Sequence, residues 1–461
     1  MPKGSWFREV NDMDLKIKNV GMVNTAEIKI DGITVIAGDN NTGKSTIGKT
    51  LFLLFKGMSA LNVNSYRSRK FTEKVNRAVN EYRYNVPIGN DNAWFYFNTI
   101  IYDDADFRKI INRMTLSDNV NNEKCLSDLR ECMVKGLDKV VNRTSQNKEA
   151  QKKKYLTMID NYISNIREAL EFEIPIDKAV RDYFDILVSG IFGSDFETKA
   201  CEEETVLTLN TDDVYVADIH YQNGDIQEFK YILDTGIKDI TYVETPQILN
   251  YAELVNNALL ESDMDGENSI FISRECFTDP ISKDLVSKLM RNQSYNQGSS
   301  LDESIRHIID GSVDYNLKSQ RFIYNRNNVP IGIKNTAAGI KSFGILQILF
   351  DKGYLRSDTV LVLDEPEVNM HPKWQLEYAK LLIWISKNIG TKMVITSHSP
   401  YFIEAIDTFS KTSKINDKVS FYETRTERSL TKICLQSDIN DIFESLNSPF
   451  IELEQAEIDN F

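Results

Sequence analysis

The sequence predicts an α/β fold: a mixed central sheet built around a phosphate-binding loop, an antiparallel sheet beside it, and a helical insertion after the first helix. Three observations carry the prediction. The stretch ITVIAGDNNTGKST, 33–46, passes from an apolar strand through a glycine turn into a helix. The run VLVL, 360–363, is apolar throughout and ends in two carboxylates, as a parallel strand covered on both faces does. Between the two, the hydrophobic period changes from three-and-four to two near Thr205.

Leu15–Val20 and Ala26–Ile30 alternate polar and apolar residues around Gly21 and Asn24, and read as a hairpin leading into the strand Ile33–Ile36. The turn that follows satisfies G-x-x-x-x-G-K-[ST] with Gly38, Asp39, Asn40, Asn41, Thr42, Gly43, Lys44 and Ser45, and Thr46 opens a helix to Phe55. Glycines let backbone N–H groups converge on phosphate oxygens, and the helix N-terminus adds partial positive charge. Lys44 is placed to reach the β- and γ-phosphates and Ser45 to ligate Mg²⁺, so ATP and Mg²⁺ are the expected cofactors. A coincidental glycine turn is the bland alternative; the strand before it and the helix after it argue against that.

Ser59 to about Gly190 is polar and helical in period. Within it, Tyr155, Met158, Ile159, Tyr162, Ile163, Ile166 and Leu170 recur at spacings of three and four, a stripe that is more often core or a helix seam than a ligand groove. From Thr205 the runs VLTLN, VYVADIHY, IQEFKYIL and ITYVE predict antiparallel strands returning to the nucleotide domain. Gln247–Ser304 reads as helical around a loop at 292–300, and RFIYN pairs with VPIGI across 325–328. A helix over Asn335–Phe350, buried strands over Val360–Leu363 and Met393–Thr396, and a helix over Lys373–Asn388 complete the pattern. The expected divisions are 1–58 (first part of the head), 59–200 (helical insertion), 201–250 (antiparallel strands), 251–310 (helical) and 311–461 (second part of the head).

With 461 residues, 41% of them hydrophobic and only 10 prolines, the chain is globular and too long for one ordinary core. Its five dispersed cysteines form no C-x-x-C pair, no signal-like segment opens it and no run of 18 apolar residues occurs, so a cytoplasmic, non-membrane protein is expected. A net charge of −14 argues against a surface coated by nucleic acid. The stretch from Cys434 to Phe461 carries seven carboxylates and no base; it reads as a docking tail or a packed final helix.

Asp364 and Glu365 follow the apolar strand at its C-terminal end, where open α/β sheets bind ligands. Asp364 would hold the Mg²⁺ shell, and Glu365 would orient or deprotonate the attacking water. His398 stands two residues beyond the next buried strand, where it would donate to a γ-phosphate; a lone histidine is more often structural, but its place matches that of Asp364. His220 and His307 look incidental.

The order of these motifs resembles the head of an ABC-type ATPase: Walker A at Gly38–Ser45, a signature-like NTAAGIKS at 335–342, Asp364 with Glu365, the turn 369–372 and a switch histidine. DEPEVNMHPKWQ and ITSHSPYF look like the OLD and SMC-related group. The resemblance covers about 30–55 and 330–405. It implies that two heads sandwich two nucleotides, with Ala337, Ala338 and Gly339 facing the partner copy's γ-phosphate. The family usually has a serine where Ala337 or Ala338 stands, so backbone N–H groups, with Thr336 or Ser342, must substitute. TYVETPQIL, 241–249, resembles the stretch joining site and insertion in such heads, which makes Gln247 a candidate Mg²⁺ or water contact. Only 63 residues follow His398, too few for the TOPRIM nuclease of full OLD proteins. The acidic group Glu261, Asp263, Asp265 and Glu267 reads as a solvated loop rather than a metal site.

A stand-alone head of this layout resembles the ATPase subunit of anti-phage systems of the Septu or PARIS type. It implies a homo-oligomer that controls a separate nuclease or toxin effector. The alternatives are a DNA-repair ATPase of the Rad50 or RecF type, which the absence of sustained heptads disfavours, and an ATP-gated scaffold with little turnover. Direct nucleic-acid contact is the open question. Tyr66–Tyr84 interleaves six bases with Tyr66, Phe71, Tyr82 and Tyr84, a composition that grips phosphates and stacks bases, although a charged helix face is the commoner cause.

Overall fold

The computed structural model describes residues 13–84, 105–116, 122–144, 148–211, 214–232, 236–263, 279–291, 295–296 and 300–446. The chain forms two compact units, Met1–Ala60 with Arg181–Phe461, and Leu61–Val180.

The first unit contains the strands β1 (Met13–Val20), β2 (Val23–Ile30), β3 (Ile33–Ala37), β4 (Thr205–Thr211), β5 (Val214–Gln222), β6 (Asp225–Tyr231), β7 (Asp239–Val243), β8 (Ser312–Asn316), β9 (Arg321–Arg326), β10 (Val329–Gly332), β11 (Thr359–Asp364), β12 (Lys392–Ser397), β13 (Val419–Glu427) and β14 (Leu430–Gln436). Eleven of them make one mixed sheet in the order β6-β5-β4-β1-β2-β14-β13-β3-β12-β11-β7, and β8, β9 and β10 make a separate antiparallel sheet. The block from β13 to β7 is parallel throughout, and the wing from β6 to β2 is antiparallel.

In that block β3, β11 and β12 are buried at nearly every position. Their side chains alternate between two cores. Val35, Leu361, Leu363, Met393 and Ile395 pack with the helices Ala338–Asp351, Pro372–Ile389 and Pro400–Ser413. Ile36, Val360, Val362 and Val394 pack with the helix Lys44–Gly57 and the antiparallel wing. Proline at the first helical position follows a side-chain cap in two of these helices: His371 before Pro372, Ser399 before Pro400.

The sheet differs from expectation at two places. ITYVE does not join the antiparallel run: β7 is the parallel edge strand beside β11, with Ile240 opposite Val360. Ile240, Thr241, Tyr242 and Val243 are all buried, so their apparent alternation marks no solvent face. Strands β13 and β14 are not anticipated, yet β13 pairs with β3 and so flanks the glycine turn. The final helix Ile439–Leu446 packs Ile442 into the core; the rest of the acidic tail, 447–461, and the acidic group at 265 and 267 lie outside the described residues.

Four charges brace the far end of the parallel block. Lys56 Nζ lies 2.7 Å from Asp239 and 2.6 Å from Asp284, and Lys288 Nζ lies 2.8 and 2.9 Å from the same two carboxylates.

The second unit has its own core, in which Tyr155, Ile159, Tyr162 and Ile166 of the predicted stripe meet Val75, Leu126, Leu129 and Met133. Tyr66 is 6% exposed and Phe71 packs on that core, so neither is presented for base stacking. Arg67 Nε donates to the Ile174 carbonyl, and Lys70 pairs with Glu73. The side chains of Tyr82 and Tyr84 lie outside the described residues.

Candidate functional site

Because β3, β12 and β11 are parallel neighbours, the glycine turn, His398 and Asp364 emerge along one sheet edge. Ala37 stands opposite Ser397, and Thr396 opposite Asp364. In the turn, Asn41 and Gly43 take left-handed φ of 61° and 80°. A side chain at Gly43 would be strained there, and its Cβ would come within 2.8 Å of Val23. Neither a capping side chain nor a first-turn acid occupies the N-terminus of the helix Lys44–Gly57, which leaves its N–H groups and dipole for an anion.

Lys44 is 4% exposed and folds back over the turn: Nζ donates to the carbonyls of Gly38 (3.0 Å) and Asp39 (2.7 Å) and lies 3.4 Å from Glu365 Oε1. Ser45 Oγ donates to Asp364 Oδ1 at 3.0 Å, and the Tyr242 hydroxyl donates to Oδ2 at 2.9 Å. Burial and then the Asp364 charge push the Tyr242 phenol well above its ordinary pKa, so it remains a donor that fixes the carboxylate. A carboxylate and a hydroxyl in contact are hard oxygen donors, the set a Mg²⁺ ion takes. These residues therefore fit that ion.

Glu365 adopts a left-handed φ of 45°. Such a backbone costs on the order of 1–2 kcal/mol in a residue with a side chain. Its N–H is held by the Thr396 carbonyl (3.2 Å) and hydroxyl (3.0 Å). The carboxylate is thereby set between Lys44 and the His398 ring, whose Nδ1 lies 3.4 Å away. Glu365 and His398 open on a cavity of about 870 Å³ that Asn40, Glu367, Asn440 and Phe443 also line. This is within the range of roughly 300–1,000 Å³ that small-molecule sites occupy.

The other predicted residues stand as follows. Gln247 Oε1 accepts from Asn250 (2.6 Å) and Lys341 (3.3 Å), contacts that turn it toward the helix Ala338–Asp351. Ala338 and Gly339 form the first turn of that helix, and a Cβ on Gly339 would come within 2.2 Å of Trp374. Thr336 and Ser342 spend their hydroxyls on local carbonyls, Ile333 and Ala338. Thr396, Tyr242, Glu367 and Thr424, which bonds Thr42 at 2.9 Å, are site neighbours to which the sequence reading gives no role, although the first three lie inside quoted motifs. The strand-forming composition of VSFYET in β13 is the signal that could have pointed to Thr424.

A parallel-sheet unit in which the glycine turn, Glu365 at a strand end and His398 line one cavity, with Asp364 beside the turn, defines the class of P-loop nucleotide-binding proteins. Residues 13–403 match the family model described as an AAA ATPase domain; the chain belongs to that family and is an ATPase. Among solved structures it is similar to the SMC head domain from Thermotoga maritima, at 12% identity over 93% of this chain and 100% of that one, with a TM-score of 0.35. It is also similar to an Smc head bound to the C-winged helix domain of ScpA, at 11% identity over 94% of this chain and 99% of that one, with a TM-score of 0.37. No curated protein matches.

Proposed function

We propose that this ATPase is of ABC type, that two copies close head to head on ATP, and that the assembly holds or controls a separate nuclease or toxin effector in anti-phage defence. The observation that supports the ATP-dependent part is that Glu365, next to the Asp364 held by Ser45, lies 3.4 Å from both Lys44 and His398.

In this reading the amides of Gly38–Thr46 wrap the phosphates, and Lys44 exchanges its two carbonyl partners for phosphate oxygens, which as anions bind an ammonium more strongly. Ser45 and Asp364 would hold Mg²⁺, which would supply positive charge against the phosphates. Glu365 accepts the proton of the attacking water, and His398 donates to a γ-oxygen. Ala337, Ala338 and Gly339 meet the γ-phosphate of the other copy through backbone N–H groups. Gln247 would turn toward the metal site by releasing Asn250 and Lys341.

The effector part rests on layout, a head with a helical second unit, and on the sequence resemblance. Co-expressing the chain with each neighbouring gene product tests it. Wild type retains one of them through purification in ATP and protects cells from phage, and Lys44→Ala does neither. Unchanged phage titres with no retained product would refute the defence role.

A further inference from the structure

We infer that Glu367 is a positioning residue for hydrolysis: its carboxyl clamps the segment Ser397–Ser399 to the turn that carries Glu365, and so sets where the His398 ring stands. The inference rests on the reading of Glu365 and His398 as hydrolytic groups.

Glu367 is 2% exposed. Its Oε1 accepts from the Ser397 hydroxyl at 2.5 Å and from the His398 backbone N–H at 3.2 Å. Its own carbonyl accepts from Met370 N–H at 3.0 Å and from Gln375 Nε2 at 3.5 Å. The other end of the Gln375 amide accepts from Ser399 Oγ at 3.1 Å, and Ser399 N–H donates to Ser397 Oγ at the same distance. Glu367 thus joins three pieces of chain: its carboxyl ties the turn after β11 to the segment after β12, and its backbone carbonyl ties that turn to the helix Pro372–Ile389. His398 belongs to the last, and its ring faces Glu365.

The second carboxyl oxygen, Oε2, is buried and has no hydrogen-bond partner among the described residues. Burial raises the pKa of Glu367, because an uncompensated charge there would be costly. An amide of the same shape would therefore serve the clamp, whereas a side chain without the acceptor would not. The other titratable groups facing the same cavity are Glu365, Glu404, Tyr401 and the His398 ring.

Steady-state ATPase assays and thermal unfolding of the full chain test the assignment. Glu367→Gln keeps kcat within about threefold of wild type. Glu367→Leu, similar in volume, lowers kcat about 10–100-fold through displacement of His398, while KM for ATP and the Tm stay close to wild type. Wild-type kcat in Glu367→Leu, an equal loss in Glu367→Gln, or a kcat that falls only in step with Tm overturns the clamp. If Glu367→Leu does not fold, Ser397→Ala decides: it lowers kcat several-fold at unchanged KM, and an unchanged kcat rejects the inference. Should Glu365→Gln turn over normally, the underlying reading of the centre fails; should only Glu367→Leu do so, the clamp alone fails.

Discussion

Lys44 and Lys56 lie on the same helix, one in its first turn and one in its last, and they meet different kinds of partner. Lys56 faces two carboxylates at 2.6 and 2.7 Å, and Lys288 completes a quartet of balanced charge. Burial opposes the charge on Lys56, but Asp284 and Asp239 more than offset it and hold its pKa above the ordinary value. Lys44 is as deeply buried, yet its short contacts are two neutral carbonyls, and its one carboxylate stands off at 3.4 Å. A cation whose charge is cancelled at short range braces the fold. A cation held by neutral carbonyls has no counter-charge at short range, which suits the role proposed for Lys44 toward an arriving phosphate.

That contrast can be broken at either end. The largest expected effect is on stability: Lys56→Met leaves two partly buried carboxylates facing one cation and costs about 3 kcal/mol in denaturant unfolding. ATP affinity of the folded fraction stays the same. Lys44→Ala does the reverse, lowering turnover about 10²–10³-fold with little change in the unfolding midpoint. Equal stability losses in the two variants would end the distinction.

Smaller effects sharpen it around Asp364. Tyr242→Phe removes the hydroxyl donor that fixes the carboxylate, and the Mg²⁺ concentration for half-maximal activity rises roughly tenfold. Thr424→Val loses one hydrogen bond to Thr42 in the glycine turn, about 1 kcal/mol, read as a several-fold weaker Kd for ATP by titration calorimetry.

Much of the architecture is legible in the sequence because its local rules are strong. A glycine turn between strand and helix, and an apolar run ending in carboxylates, each specify both an element and its place in a parallel sheet. What is not legible depends on contacts distant in sequence. ITYVE looks antiparallel until the helices that cover both faces of β7 are known. Thr396 and Tyr242 become partners of Asp364 only through strand neighbours that a single segment does not announce. Glu367 sits inside a recognised motif, yet the oxygen that bonds Ser397 and His398 is visible only after β11 and β12 are side by side.

The most direct measurement is the mass of Glu365→Gln by light scattering in ATP with Mg²⁺ and in ADP, together with phosphate release. The account predicts at least twice the mass of one chain in ATP, a smaller species in ADP, and phosphate release near or below about 1% of wild type. The same mass in both nucleotides, or phosphate release at the wild-type rate, would contradict it.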